Sequence, residues 1–318
     1  MTNTKTPTRI VYFGVGGSTG KTSQAVNQAC EWARRGLRVR YWDGDNQGDG
    51  STYFHYMEPP TPIGEVLAGV ETIEDPNSRT GRRVATMREI ELPVFRPTAE
   101  AAEELGGLAP EEPGQEDWLR RLTIVPSGIG ISGTTLNDAM TAMTRDDLGP
   151  EKVLATIESI DEGRDEADLP DIEIFDLPGM VGSLHYLALK WAARGGTRGG
   201  RSGVVLVVTP DDKAMGKHFW DALAKIDSVS KHYPIAPVAI MPTRVTTNRG
   251  RFYVEMYETF KGNPKLENLV APPVRETVHV PESFGARQPL LLWVPDERVT
   301  EDQTAVADWL KEHGVIAA

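Results

Sequence analysis

The residues best suited to chemistry fall in one stretch, Gly14 to Ser23, which reads GVGGSTGKTS. It closes with Gly20-Lys21-Thr22, the end of the phosphate-loop pattern, in which the lysine reaches β- and γ-phosphates and the hydroxyl holds magnesium. Gly16, Gly17, Ser18 and Thr19 are candidate phosphate contacts through backbone N–H groups, and Ser23 follows them into the next helix. The strict pattern wants a glycine where this chain has Val15; Gly14, Gly16 and Gly17 surround that position. Two acids could share the site. The run Leu37–Asp43 ends Asp43-Gly44-Asp45-Asn46-Gln47-Gly48, and Ile172–Leu177 is followed by Pro178-Gly179 with Asp176 inside it. An apolar run ending in an acid beside a phosphate loop is the pattern of a residue that holds magnesium through water.

These residues need a strand–loop–helix frame. Residues 9–14 read as a strand, and residues 22–35 as a helix with Val26, Ala29, Cys30 and Ala33 on one face and Gly36 as its stop. Leu37–Asp43 alternates as a second strand, completing a βαβ unit with the glycine loop at its first turn. Ligands of open α/β sheets bind beyond the carboxyl ends of strands, so Asp43 and Asp45 are expected beside the loop. Further strands are expected at 122–125, 172–177, 204–208 and 238–241, with helices between them and at 301–312. The alternation predicts an α/β, doubly wound, mainly parallel sheet with helices on both faces, and 1–318 as a single domain. Residues 75–118, rich in proline, glycine and acids, are expected to form a surface insertion, partly disordered or a lid.

Composition narrows the class. The chain has 318 residues, 39% apolar and 25% charged, ordinary for a globular protein. No apolar run approaches the roughly 18 residues of a membrane span, and the first residues lack the apolar core of a secretory signal. The single cysteine, Cys30, suits a reducing cytoplasm, and no Cys/His cluster suggests zinc. The formal charge of −12 argues against a chain coated in basic residues, though not against a local patch.

The order of these motifs resembles the ParA/MinD group of P-loop ATPases, which partition plasmids and chromosomes or position division machinery. The loop leads into SQAVNQACEWARRG; DGDNQG is very like the group's D-x-D-x-Q-G; and Asp45 follows Lys21 by 24 residues, as the group's catalytic aspartate follows its lysine. TPIGEVLAG, LTIVPSG and IFDLPG follow in the group's order, and VHVPESFGARQP (Val278 to Pro289) resembles its C-terminal signature. The resemblance covers most of the chain outside the insertion. It implies ATP and Mg2+ as cofactors, with Lys21 on the phosphates and Asp45 orienting the attacking water. Thr22, Asp45 and Asp176 would attend the metal, and Gly179 would place an N–H near the γ-phosphate. Pro242, Thr243 and Arg244, with Pro281 and Glu282, correspond to where the group holds adenine. No Asn/Thr-Lys-x-Asp segment of the kind that reads guanine follows the later strands.

One departure stands out. Members of the group usually carry a second, signature lysine early in the loop, where this chain has Gly16, and Ser18 replaces a glycine. A basic residue of the arginine loop at 194–201 is one candidate substitute; slow hydrolysis and a different dimer or filament geometry are the others. The resemblance implies a homodimer or filament with ATP, non-specific DNA, a small DNA-binding adaptor protein, no membrane, and a cytoplasmic, nucleoid-associated location. Arg194, Arg198, Arg201, Arg244, Arg249 and Arg251 are the candidate DNA-phosphate contacts. The alternative is an accessory protein of conjugation or cargo positioning that binds nucleotide with little turnover. A ligase resembling dethiobiotin synthetase fits less well, because D-x-D-x-Q-G and the C-terminal signature weigh against it.

Overall fold

The structure is a computed structural model that describes residues 6–14, 18–129, 132–145, 150–179, 182–210, 218–246 and 251–317. Gly16 and Gly17 of the loop, and Arg249, lie outside the described residues. Seven strands form the main sheet: β1 (Thr8–Gly14), β2 (Val39–Asp43), β5 (Leu92–Pro93), β6 (Leu122–Val125), β7 (Ile172–Asp176), β8 (Gly203–Val208) and β9 (Pro237–Pro242). Their order is β5-β6-β2-β7-β1-β8-β9, parallel throughout except for β5, which pairs antiparallel with β6. A separate antiparallel pair joins β3 (Glu71–Glu74) and β4 (Arg82–Val84).

The strands read as apolar runs because both faces are covered. On β1, Ile10 and Tyr12 face one core, while Val11 and Phe13 face the other. The first face packs against α1 (Lys21–Arg34), α2 (Asp49–Tyr53), α5 (Gln115–Leu119), α12 (Leu290–Trp293) and α13 (Arg298–Glu312). The second packs against α3 (Ile63–Ala68), α6 (Leu136–Arg145), α7 (Pro150–Glu158), α8 (Ser183–Ala192) and α9 (Phe219–Ser230). There Trp42 stacks on Phe175 with centroids 6.0 Å apart, and Trp191 meets both edge-on. Helices α4 (Ala99–Leu105), α10 (Arg251–Lys261) and α11 (His279–Ala286) complete the chain. The expected doubly wound, mainly parallel sheet is the observed one.

The stretch 75–118 departs from its sequence reading. It supplies edge strand β5, and it buries Ala85, Met87 and Ile90 in one core and Val94, Leu108 and Trp118 in the other. Its acidic run conceals those apolar anchors, which are spaced too irregularly to show a period.

Near the amino ends of the strands, one row of side chains on the second face is charged. Arg9 of β1 lies beside Glu173 of β7, which lies beside Arg40 of β2, which lies beside Thr123 of β6. Arg9 Nε donates to Glu173 at 3.0 Å, and Arg40 donates to Glu173 at 2.7 Å, Asp161 at 2.6 Å and Glu91 at 2.9 Å. Thr123 donates to the same Glu91 carboxylate at 2.6 Å.

Candidate nucleotide site

The loop-to-helix turn stands at the carboxyl end of β1. Gly20 has φ +79°, a left-handed conformation that glycine adopts without a Cβ penalty, and its carbonyl accepts from the Gln24 N–H to begin α1. Ser18 also has φ +58°, which a serine tolerates at a cost of about 1 kcal/mol. Two contacts from the end of β9 tie this turn down. The buried Thr243 hydroxyl donates to the Thr19 carbonyl at 2.6 Å, and Arg244 donates to the Ser18 carbonyl at 3.1 Å. The second guanidinium nitrogen of Arg244 reaches Glu276 at 3.1 Å.

Lys21 crosses from α1 to β7, where its ammonium donates to Asp176 at 2.5 Å and lies 3.2 Å from the Thr22 hydroxyl. Three of the four residues expected at the β/γ-phosphates and metal are thus together, and Asp45 is not among them. Asp176 is fully buried and also accepts from the Tyr41 hydroxyl at 3.1 Å. Asp43, its partner across β2 and β7, is equally buried. Burial first, and then the Asp176 charge, push the Asp43 carboxyl up to about 7, against hydrogen bonds from Ser51 and the Asp45 N–H that favour ionisation. Burial, with Asp176 beside it, keeps the Tyr12 hydroxyl protonated. Asp49 is raised by burial and then by Asp45 and Asp176, which places it in the same acidic field. Gly44 makes the crowding possible, since a Cβ there would stand 2.6 Å from the Asp176 carbonyl oxygen.

Asp45 is only partly buried. Its carboxylate accepts the Gln47 N–H at 3.1 Å, and it makes no hydrogen bond to Lys21, Thr22 or Asp176. Gly179 is exposed, just beyond β7. His185 closes this turn: its Nδ1 accepts the Gly182 N–H at 3.2 Å and its ring packs on Phe13. Burial, with smaller effects from Lys21 and Lys225, lowers its pKa to about 4, so the imidazole is neutral at physiological pH.

Beside the turn opens a cleft of about 540 Å3. Ser18, Gly20, Thr243 and Arg244 form one wall, and Val274, Val280, Pro281 and Phe284 an apolar one, with Tyr53 edge-on to Phe284 at 5.3 Å. The size and lining suit a flat heterocycle with its sugar. Of the residues expected near a base, Thr243, Arg244 and Pro281 line this cleft. Glu282 does not; it turns to His279 at 3.0 Å. Pro242 is buried at the strand end, where its carbonyl accepts the Val274 N–H, and Ser23 is buried behind the loop, within hydrogen-bond reach of Tyr53.

The arginine loop is elsewhere. It precedes β8 and hydrogen-bonds the residues just before β1, Gly196 N–H to Pro7 and Arg198 N–H to Thr6. That is the amino end of a seven-residue strand, about 20 Å from the phosphate turn. Arg194 pairs with Glu151 and Glu158, and Arg198 with Asp171. Within one chain, this loop therefore cannot replace a loop lysine. Arg201 is exposed and donates to the His313 carbonyl at 3.3 Å; Arg251 begins α10.

Sequence reasoning placed Asp43 beside the loop without giving it a role, and it did not place Tyr41, Tyr53 or Phe284 at the site. The strand alternation that buries Tyr41 was a usable signal, but the meeting of α11 with α2 leaves no local pattern.

The residues fit a magnesium–triphosphate: a hydroxyl, buried carboxylate in excess of cation, and a lysine at one point. Among the described residues, no group of three or more His, Cys, Asp or Glu could hold a metal without such a ligand, and no helix is long and apolar enough to cross a membrane.

No family model matches the chain, and no curated protein matches it. Solved structures do. An ATP complex of a McdA variant from Cyanothece aligns with TM-score 0.66 at 13% identity, over 99% of this chain and 98% of that one. The cell division ATPase MinD of Pyrococcus furiosus aligns with TM-score 0.60 at 15% identity, over 96% and 98%. Cobyrinic acid a,c-diamide synthase of Mycobacterium smegmatis, with bound ADP and magnesium, aligns with TM-score 0.62 at 16% identity, over 96% and 95%. Over nearly its whole length, then, the chain has the P-loop fold of the MinD- and McdA-type ATPases.

Proposed function

We propose that this protein is an ATP-binding and slowly hydrolysing switch of the ParA type, acting in plasmid or chromosome partitioning. The observation that carries the reading is the convergence of Asp176 with Lys21 and Thr22, which are next in the chain to the turn at 18–20 that walls the cleft. Lys21 exchanges Asp176 for the β- and γ-phosphates when nucleotide binds. The Thr22 hydroxyl and Asp176 would hold magnesium, which would neutralise charge on the transferring phosphoryl group. Asp45, on the partly open side, orients water, and the Gly179 N–H faces the γ-phosphate. Gly16 provides no cation there, so transition-state charge is less well stabilised and turnover is slow. ATP favours self-association, and that form holds DNA backbone non-specifically until a small adaptor protein stimulates hydrolysis. With Arg194 and Arg198 paired internally, DNA contact falls to Arg201, Arg249 and Arg251.

The test is ATP binding and turnover, with and without DNA, beside Lys21→Ala. We expect turnover to fall at least about 100-fold and ATP affinity at least about 10-fold in the variant. If wild type binds no ATP, or the variant binds it equally well, the reading is wrong. DNA retention is expected only with ATP and to weaken steeply with salt; retention unchanged at high salt would remove the backbone-contact part. A protein that binds ATP tightly with no turnover under any condition would instead be the nucleotide-dependent binding module of conjugation or cargo positioning.

A further inference from the structure

A chain of buried amides runs from the cleft to the last helix, and its direction can be deduced. Gln28, on α1, places its side-chain nitrogen 2.9 Å from the backbone carbonyl of Gln303 on α13. A carbonyl only accepts, so that atom of Gln28 must be the N–H2 group. The same nitrogen lies 3.0 Å from Oε1 of Gln303, which fixes Gln303 in turn. Gln303 therefore points Nε2 outward, and it donates to Oε1 of Gln24 at 2.8 Å. All three side chains are at least 97% buried, so reversing any one would set like atoms against each other out of water.

The consequence falls on Gln24. Its oxygen is consumed inward, and its Nε2 has no hydrogen-bond partner among the described residues. Yet Gln24 lines the cleft, on α1 one turn beyond the Gly20 that begins it. The same cleft is lined by polar side chains such as Thr243, Arg244 and Glu276 and by apolar ones such as Val274, Val280 and Phe284, and Gln24 adds to it a buried donor whose orientation is fixed. The chain's other end is also held. Arg275, another cleft residue, pairs through two nitrogens with Asp302, the neighbour of Gln303, at 2.6 Å each.

Resting on the nucleotide reading above, we propose that Gln24 is a specificity-determining residue. Its Nε2 donates to an acceptor on the nucleoside half of the nucleotide, a ring nitrogen or a ribose oxygen. Gln303 and Gln28 are positioning residues that hold the amide donor-outward.

The experiment compares binding of MgATP and of inorganic tripolyphosphate, which shares the phosphates and lacks the nucleoside, to wild type, Gln24→Leu, Gln24→Glu and Gln303→Leu. Circular dichroism and melting checks show each variant is folded; Gln24→Met serves if Gln24→Leu is not. Gln24→Leu is expected to weaken MgATP about tenfold and leave tripolyphosphate within twofold. Gln24→Glu, which substitutes an acceptor for the donor, is expected to weaken MgATP more. Gln303→Leu, which releases the orientation, should fall between wild type and Gln24→Leu. Replacing ATP by 7-deaza-ATP or 2′-deoxy-ATP separates the sources, because the analogue missing the contacted acceptor loses its sensitivity to Gln24→Leu. Equal loss of tripolyphosphate and MgATP, or no loss of MgATP, overturns the inference. If wild type binds neither ligand, the nucleotide reading itself has failed; if it binds both and Gln24→Leu matches it, only the role of Gln24 is lost.

Discussion

At the amino ends of the central strands, Arg9, Glu173 and Arg40 stand side by side across β1, β7 and β2; at the carboxyl ends, Asp43 and Asp176 stand side by side across β2 and β7. Both groups are buried, but only the first is complete. Burial pushes Glu173 up, yet Arg9 and Arg40 outweigh it and hold the carboxyl below its usual range. Asp43 has no such cation and is raised to about 7, while Asp176 shares the one lysine that the loop provides. The balanced cluster belongs to the fold, and the unbalanced one leaves room for charge to arrive. A buried charge that is not neutralised from within marks where a ligand must finish the job.

Breaking the balanced end should have the largest effect on stability. Arg40→Met leaves Glu173, Glu91 and Asp161 short of their shared cation, and we expect a loss of about 3–5 kcal/mol by urea unfolding. A loss under about 1 kcal/mol would mean that this end is no more essential than the other. At the unbalanced end the sign reverses. The Asp43 pKa in the folded protein, about 7, lies above its ordinary value of 3.8. Its contribution to stability is thus complete below about pH 4 and is lost as pH rises through 7. Asp43→Asn is therefore expected to stabilise the ligand-free protein by about 1–2 kcal/mol at pH 7.5 and to flatten the pH 5–8 slope of melting temperature. An unchanged slope would contradict the excess of acid. The smallest effect concerns the turn at the carboxyl end of β1. Ser18→Gly relieves a left-handed serine and should raise stability by up to about 1 kcal/mol; a destabilised variant would show that the serine side chain is needed there.

The fold was legible where the chain is periodic. The βαβ unit, the buried strands and the terminal helix all appear close to their expected bounds because both faces of the sheet impose apolar runs. The loop-to-helix turn was legible too, since Gly20 and the helix that begins at Lys21 follow from local sequence. What the sequence hid depends on contacts between distant segments. Arg40 alternates with Tyr41 as a surface residue would, and its burial depends on Glu173, Asp161 and Glu91, up to 133 residues away. The arginine loop looked like a phosphate-binding surface, but Glu151, Glu158 and Asp171 already neutralise Arg194 and Arg198. The chemistry of Gln24 depends on Gln303, 279 residues later.

The charged row also bears on how the strands find their alignment. In a parallel sheet, sliding one strand by a single residue exchanges its two faces. A one-step slip of β7 against β1 would set Arg9 opposite an isoleucine and turn Glu173 toward α1, sealing that carboxylate from water away from both Arg9 and Arg40. On hydrophobic grounds alone, β7 would pair with β1 and β2 almost as well in several alignments. The row makes every alignment but one electrostatically expensive, so it serves the sheet as a key, cut once at β1, β7, β2 and β6.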